Sequence, residues 1–245
     1  MLVCEMKKNT VFAVWSAALL LPLGLAAETN YAFRARMAEL HPRRLVADAA
    51  PVAADEVLVT SAWVLRVGGT DPDGVLAHAA ADLRDYFGKS MDVKLQSGDL
   101  RDVPTIFLSV DPKLEKLQSK VIVRPAERGK GCASIEIVGA TPREAAQGCY
   151  RLEDLMNARG LPAAKVGART FTRMFSPRMT HSGWEIEKFP EVYMDHVAHA
   201  GMDAILVFIA DPPDVTRNGR EDLPALVKTA AKHGLDVYAY ASFPV

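Results

Sequence analysis

The chain has 245 residues, a net charge of −1 and an isoelectric point near 6.6. This charge balance argues against nucleic acid or an anionic membrane surface as the main partner. Apolar residues make up 49% of the chain and charged residues 24%, which is typical of an ordinary globular protein with one large or two modest domains.

The N-terminal segment has the pattern of a secretory signal peptide, predicted at 1–27. Lys7-Lys8 provides a positive region, and residues 11–25 form an apolar stretch that is short for a bilayer-spanning helix. Small residues predict cleavage after Ala26 or Ala27. We therefore expect export to the bacterial periplasm or the extracellular space without a membrane anchor. An uncleaved anchor is the alternative.

Two cysteines remain after the predicted cleavage, Cys132 and Cys149, because Cys4 lies in the signal peptide. Export permits a disulfide between them. Two buried free thiols fit the sequence at least equally well. Neither cysteine has a partner at CxxC spacing, so the sequence predicts no metal site, and it predicts no cofactor.

Residues 55–161 follow a predicted linker at 28–54 and are predicted to form one α+β domain. Its first helix, 74–87, has Asp73 as N-cap candidate and Gly88 as its stop. The other predicted elements are strands at 57–65, 92–95, 104–110 and 133–138, a short helix or turn at 113–120, and a second helix from 141 to about 158.

The second helix of this domain begins with a capping box. Thr141 is suited to the N-cap, Pro142 to the first helical position, and Glu144 completes the box three residues after the cap. Gly160 is predicted to end this helix. The sequence then predicts a linker at 162–174.

Residues 175–245 alternate between apolar strands and amphipathic helices. Gly201 and Gly234 each follow a helix and are predicted to cap it in the left-handed conformation. Strands that are apolar at nearly every position are typical of a parallel sheet covered by helices. The pattern predicts the first βα units of a truncated, incomplete (β/α)8 barrel, or TIM barrel, with about three parallel strands. The strands are predicted at 175–183, 203–209 and 235–243, and the helices at 189–200 and 222–233.

The length of this region sets an expectation about the whole protein. A (β/α)8 barrel typically takes about 250 residues, whereas 70 residues run from Ser176 to Val245. Three parallel strands leave an open edge. We therefore expect the chain to be a fragment, the front part of a longer protein, or its open edge to be covered by a partner. The oligomeric state is not predicted.

The segment 139–155, Gly-Ala-Thr-Pro-Arg-Glu-Ala-Ala-Gln-Gly-Cys-Tyr-Arg-Leu-Glu-Asp-Leu, carries a family resemblance. Together with the helix at 73–87 and the strand at 105–110, it resembles the non-catalytic N-terminal domain of beta-N-acetylhexosaminidases and alpha-glucuronidases. The resemblance implies that a (β/α)8 barrel follows at once. It also implies an exported glycoside hydrolase that acts on poly- or oligosaccharides, with carbohydrate as its partner.

The sequence departs from this family at one sugar-binding position. Hexosaminidases carry an arginine just before a glycine in the first barrel strand, and here Ser182 precedes Gly183. That arginine role is therefore not carried over. The acidic catalytic residues of the family lie after the fourth strand or later. The resemblance thus implies that the catalytic carboxylates lie beyond Val245 and that this chain alone is inactive, so no catalytic residue is assigned.

Four residues are predicted to bind substrate, because the active face of such a barrel lies at the C-terminal ends of its strands. They are His181, Trp184, Asp211 and Tyr240. Trp184 and Tyr240 offer flat apolar faces for a sugar ring, and His181 can hydrogen-bond a hydroxyl. Each also has a purely structural interpretation, such as turn formation by Asp211.

Two other functions fit the same sequence. One is a non-catalytic carbohydrate-binding or accessory protein. The other is a small α/β binding module whose sheet docks on a partner.

Overall fold

The computed structural model describes residues 39–98, 100–127, 131–181, 191–209 and 220–241. The predicted signal peptide, Trp184 and Asp211 lie outside these ranges. Residues 37–245 form one compact unit. Within the described residues, no helix combines the length and apolar character needed to cross a membrane.

A mixed five-stranded sheet forms the first half of the unit, with the strand order β2-β3-β5-β4-β7. Strands β2, β3 and β5 run parallel, and β4 is antiparallel to both β5 and β7. A separate two-stranded antiparallel ribbon pairs β1 with β6. The bounds are β1 Glu56–Leu58, β2 Val64–Val67, β3 Thr105–Val110, β4 Gln118–Arg124, β5 Ser134–Gly139, β6 Ala163–Lys165 and β7 Gly167–Thr172.

Two helices, α1 (Val75–Lys89) and α2 (Pro142–Arg159), pack on one face of this sheet. Alternate strand residues point into the core between sheet and helices, which is the pattern that a half-buried sheet requires. The fully buried side chains in this core include Ile106, Leu108, Ile135 and Ile137 from the strands and Leu76, Leu83, Phe87 and Leu152 from the helices.

The ends of α2 agree with the sequence prediction. The hydroxyl of Thr141 accepts a hydrogen bond from the backbone N–H of Glu144, and Gly160 closes the helix at φ 70°. The start of α1 differs from the prediction. Gly74, not Asp73, occupies the N-cap position, and the carboxylate of Asp71 accepts hydrogen bonds from two backbone amides of the first turn.

Gly88 does not stop α1, which continues to Lys89. The φ of Gly88 is not in the left-handed region, and helical glycine costs only about 1 kcal/mol. Packing of the neighbouring Phe87, which is fully buried, offsets that cost.

Three predictions for the first half are corrected by the structure. The single strand predicted at 57–65 is two strands, β1 and β2, separated by a turn. Residues 92–95 form no strand, and only an isolated bridge joins Val64 to Gln96. Strand β4 begins at Gln118, inside the segment 113–120 that was predicted as a helix or turn.

The predicted linker at 162–174 contains β6 and β7. Strand β7 completes the first sheet by pairing with β4 from Gln118↔Thr172 to Val123↔Gly167. A strand that is exposed along most of its length carries no apolar alternation, because it buries backbone hydrogen bonds and not side chains. The domain boundaries of the sequence analysis stay predictions.

The second half contains three parallel strands in the order β8-β9-β10. Gly201 and Gly234 adopt positive φ values of 76° and 69° at the two helix ends, as the sequence predicts. The strand pairing confirms the predicted parallel three-stranded sheet. A closed barrel is not part of the described structure. The bounds are β8 Met179–Thr180, α3 Glu191–His199, β9 Ala204–Ile209, α4 Arg220–Lys232 and β10 Asp236–Ala241.

Candidate functional site

The C-terminal side of the parallel sheet holds two of the four predicted substrate-binding residues. His181 follows β8 directly and is exposed, and Tyr240 lies in β10 with 56% of its surface exposed. Thr180 is level with Ile205 and Val237 in the strand register. His181 is one residue beyond this level and Tyr240 three, so both lie on the same face of the sheet. Trp184 and Asp211 lie outside the described residues.

Sequence reasoning missed one aromatic residue on this face. Tyr238 lies two residues before Tyr240, and 41% of its surface is exposed. The opposite face is covered at β9, where Ile205 and Val207 are fully buried while Leu206 is half-buried, whereas Ala239 of β10 on that face is exposed. We call the face that carries His181, Tyr238 and Tyr240 the open face. A period of two along β10 was the signal that pointed to Tyr238.

The N-terminal ends of the same strands are fastened to the first half of the unit. At β9, Asp203 is buried and accepts hydrogen bonds from Arg173, from the Ser176 hydroxyl at 2.7 Å, and from the backbone N–H of Arg178. Arg173 also donates to Glu144 of α2. Burial disfavours the charged form of Asp203, but the bonds from Ser176 and Arg173 outweigh it and lower its pKa.

At β10, the first residue is held in the same way. Arg143 of α2 donates to both carboxylate oxygens of Asp236, at 2.6 and 3.1 Å. A bidentate guanidinium–carboxylate pair fixes orientation as well as distance. The two ends of the sheet therefore differ: the N-terminal ends are tied to α2, and the C-terminal ends point away from these ties.

These contacts show the structural role of residues 139–155, the segment that carries the family resemblance. Arg143 binds Asp236 of the second half directly, and Glu144 binds Arg173, which in turn holds Asp203. Thr141 caps the helix that presents both residues. Gly139 lets β5 approach the helix closely, because a Cβ there would lie 2.0 Å from the backbone nitrogen of Ala145. The segment thus positions one half of the unit on the other.

A cluster of two histidines and two carboxylates joins α1, α2 and α3 with residue 41. Nε2 of His41 lies 2.7 Å from Oδ1 of Asp82, and Nε2 of His199 lies 2.9 Å from Oδ2 of the same carboxylate. The other ring nitrogen of His199 is 3.5 Å from Oε2 of Glu153. We call these four residues the Asp82 cluster. His199 also stacks on Tyr150, with ring centroids 3.9 Å apart.

A second cluster lies one helical turn away. Oδ1 of Asp195 is 2.7 Å from Nε2 of His78 and 2.7 Å from Nδ1 of His233. We call His78, Asp195 and His233 the Asp195 cluster. His233 also contacts Glu191, which pairs with Lys232.

The pKa values of Asp82 and Asp195 are lowered, whereas that of Glu153 is raised. Burial opposes ionisation of Asp82, but the hydrogen bonds from His199 and His41 lower its pKa to about 2. Burial and the nearby charge of Asp82 raise the pKa of Glu153 well above its usual value. In the second cluster the hydrogen bond to Asp195 raises the pKa of His78. The pKa of Asp195 is lowered, because the histidine hydrogen bonds outweigh burial.

Neither cluster was found from the sequence, which predicted no metal ligands. A usable signal was present: His78 and Asp82 are four residues apart on α1, and Asp195 and His199 are four apart on α3. Such spacing puts both side chains of a pair on one helix face. Which helices face each other is set by the tertiary fold. Cys132 and Cys149 are both free thiols, but only Cys149 is buried as expected, whereas Cys132 is exposed.

Comparison with known proteins gives likeness at the level of structure. No protein-family model matches this sequence, and no curated protein matches it. Similar solved structures are a GH138 enzyme targeting pectin rhamnogalacturonan II (TM-score 0.50, 16% identity), CpGH84D (TM-score 0.53, 10% identity) and a beta-N-acetylhexosaminidase from Bacteroides fragilis NCTC 9343 (TM-score 0.50, 13% identity).

The matches cover most of this chain but less than half of each similar structure. They span 73%, 77% and 80% of this chain and 24%, 35% and 44% of the other chains, respectively. The chain therefore has a fold like part of a glycoside hydrolase. At these identities the likeness concerns the fold alone.

Proposed function

We propose that this chain is the N-terminal part of an exported glycoside hydrolase that acts on poly- or oligosaccharides, with its catalytic carboxylates beyond Val245. The observation that carries the proposal is the difference between the two ends of the strands in the three-stranded parallel sheet. Its N-terminal ends are tied to α2 through Asp203 and Asp236. Its C-terminal ends, where (β/α)8 enzymes place their active sites, carry the open face.

The open face has the chemistry of a sugar site. Sugar rings bind on aromatic side chains, with polar groups at the rim for their hydroxyls. Tyr238 and Tyr240 supply aromatic surface, and His181 supplies a polar ring on the same face. Trp184 and Asp211, which follow the first and second strands in sequence, are proposed to complete the substrate-binding set.

The described acidic residues in or next to these three strands are unsuited to catalysis. Asp203 and Asp236 lie at the N-terminal ends and are paired with arginines. Glycoside hydrolysis generally needs two carboxyl groups about 5–10 Å apart on either side of the scissile bond. We therefore place the catalytic pair on later βα units that close the proposed TIM barrel. Export by a signal peptide at 1–27 is part of the same proposal.

The alternative is a non-catalytic carbohydrate-binding or accessory protein. The exposed tyrosines of the open face also suit that function, since binding needs no catalytic pair. The DNA downstream of Val245 separates the two. A reading frame that continues through further βα units supports the hydrolase, whereas a stop codon together with sugar binding supports the accessory protein.

Sugar binding by the open face is tested by titration of the 245-residue chain with a panel of oligosaccharides. The panel includes beta-N-acetylhexosaminides and pectin fragments, since proteins of similar fold are named for these sugars. We expect Tyr240→Ala to weaken binding at least tenfold and Phe175→Ala to leave it unchanged. Phe175 is a matched control, because it is also exposed but precedes β8. Equal binding by the Tyr240 variant and the unchanged chain would contradict the site.

A further inference from the structure

We propose that the Asp82 cluster is a binding site for one divalent zinc-like cation, held by His41, Asp82, Glu153 and His199. One donor atom from each residue lies within 4.8 Å of the others. The donors come from four separate segments: the coil before β1, then α1, α2 and α3. Imidazole and carboxylate are the nitrogen and oxygen ligands that Zn²⁺ takes in proteins.

The unused oxygen of Glu153 is the observation that points to a ligand. Its side chain is only 4% exposed, and Oε1 has no hydrogen-bond partner within the described structure. A buried, unpaired carboxylate oxygen is costly. A bound cation at this point satisfies the oxygen and the charge together.

A tetrahedral ion requires one donor atom from each of four ligands. Zinc–nitrogen and zinc–oxygen bonds of about 2.0–2.2 Å place neighbouring ligand atoms roughly 3.3 Å apart. The four residues offer one such set of donor atoms, and its members all lie within 4.8 Å of one another. Side-chain adjustment that shortens the longest of these separations converts the set into a coordination shell.

The charges of the four ligands also balance. Two ionised carboxylates neutralise a divalent cation, and two neutral imidazoles complete the shell. The rings are held in place, because His199 stacks on Tyr150 and His41 contacts the edge of Tyr86.

An ion can reach this site from solvent. A surface cleft lined in part by His41, His78, Asp82 and Asp195 opens onto both clusters. The Asp195 cluster is the natural comparison, since it has the same residue types in the same cleft. No oxygen of its carboxylate is among the buried atoms without a partner in the described residues. It therefore lacks the feature that carries the proposal for the Asp82 cluster.

Binding of the ion is expected to stabilise the packing of three helices. The ion joins α3, which leads into β9, to α1 and α2 of the first half. Its site is separate from the open face, so it supports the fold and does not touch the sugar. Binding to the native state alone stabilises that state in proportion to the logarithm of the ion concentration over Kd.

The test is a titration of the untagged, chelator-treated 245-residue chain with ZnCl₂ by isothermal calorimetry, followed by thermal unfolding with and without the ion. We expect one ion per chain and a raised Tm. Glu153→Gln and His41→Gln should each weaken zinc affinity at least tenfold. His41 lies outside the helices, so its variant tests the site even if substitutions on α2 impair folding.

The control is His78→Gln, which removes a histidine from the neighbouring cluster in the same cleft. It should leave zinc affinity unchanged within about twofold. Absence of binding, or equal losses in the His78 and His41 variants, would overturn the proposal. No sugar or turnover enters this measurement, so its result is independent of the proposed function.

Discussion

Arg143, in the first turn of α2, forms a two-bond ion pair with Asp236, the first residue of β10, with N–O distances of 2.6 and 3.1 Å. The pair joins residues 93 positions apart in sequence. It gives a physical role to the arginine of the Gly-Ala-Thr-Pro-Arg segment. The segment that resembles a non-catalytic domain is the part that holds the parallel sheet.

A double-mutant cycle with Arg143→Ala and Asp236→Ala should show a coupling free energy of about 0.5–1 kcal/mol. Half of the Asp236 side chain is exposed, so solvent screening limits the value. The matched control is Arg151 with Asp154, a surface pair within α2 at 3.2 Å. Urea unfolding of the four proteins in each cycle measures the coupling. A smaller coupling for Arg143–Asp236 than for Arg151–Asp154 would argue against the role of this pair.

Arg173→Ala should be more costly than Arg143→Ala. It leaves two buried carboxylates, Glu144 and Asp203, without their shared partner. Loss of one member of a buried pair typically costs about 3–5 kcal/mol. We expect a loss of at least about 2 kcal/mol here, at the N-terminal end of β9. Arg173→Lys keeps the charge but loses the planar guanidinium, so its unfolding free energy should lie between those of the Ala variant and the unchanged chain. Equal stability of the Ala variant and the unchanged chain in urea would contradict the prediction.

Two glycine-to-alanine substitutions should change stability in opposite directions. Gly139→Ala places a Cβ 2.0 Å from the backbone nitrogen of Ala145, so we expect a loss of roughly 1–3 kcal/mol or more. Gly88→Ala lies on α1 with no atom within 4 Å of the new Cβ, so we expect a gain of about 0.5–1 kcal/mol. Thermal and urea unfolding of both variants checks the signs. A stabilised Gly139 variant would show that β5 and α2 are not packed as described.

The Asp195 cluster should make stability depend on pH in two limbs. The folded pKa of His78 is raised above 6.5, so its contribution is complete below that pH and is lost as pH rises through the folded value. The folded pKa of Asp195 is lowered below 3.8, so its contribution is present above that pH and is lost as pH falls through the folded value. Stability from this pair is therefore greatest between about pH 4 and 6.5.

Urea unfolding at a series of pH values, with chelator present, measures this profile. His78→Gln should flatten the alkaline limb while leaving the acid limb in place, because other paired carboxylates such as Asp203 remain. An alkaline limb of unchanged size in the variant would assign the pH dependence to other groups.

Local chemistry made part of the fold predictable from sequence. The cap at Thr141 and the left-handed glycines Gly160, Gly201 and Gly234 depend on a few neighbouring residues, and all four agree with the structure. The parallel strands of the second half were predictable from their continuous apolar runs. Burial on both faces is not part of the described structure, where Tyr238 and Tyr240 are exposed on the open face.

Long-range pairing accounts for what the sequence did not predict. Strand β7 is exposed and is defined by its hydrogen bonds to β4, so its residues carry no apolar period. Both histidine clusters depend on α1 facing α3, which no local pattern encodes. Of the candidate site, His181 and Tyr240 could be placed at the C-terminal side of their strands, because strand direction and period determine that position.

The central proposal is that this chain carries a sugar-facing part of a glycoside hydrolase without the catalytic carboxylates. The most direct measurement is turnover of a panel of aryl glycosides by the purified 245-residue chain. We predict no turnover, because the described carboxylates at these strands are paired with arginines at the wrong end of the sheet. Turnover that survives repurification and is abolished by Asp211→Asn or His181→Ala would contradict the account.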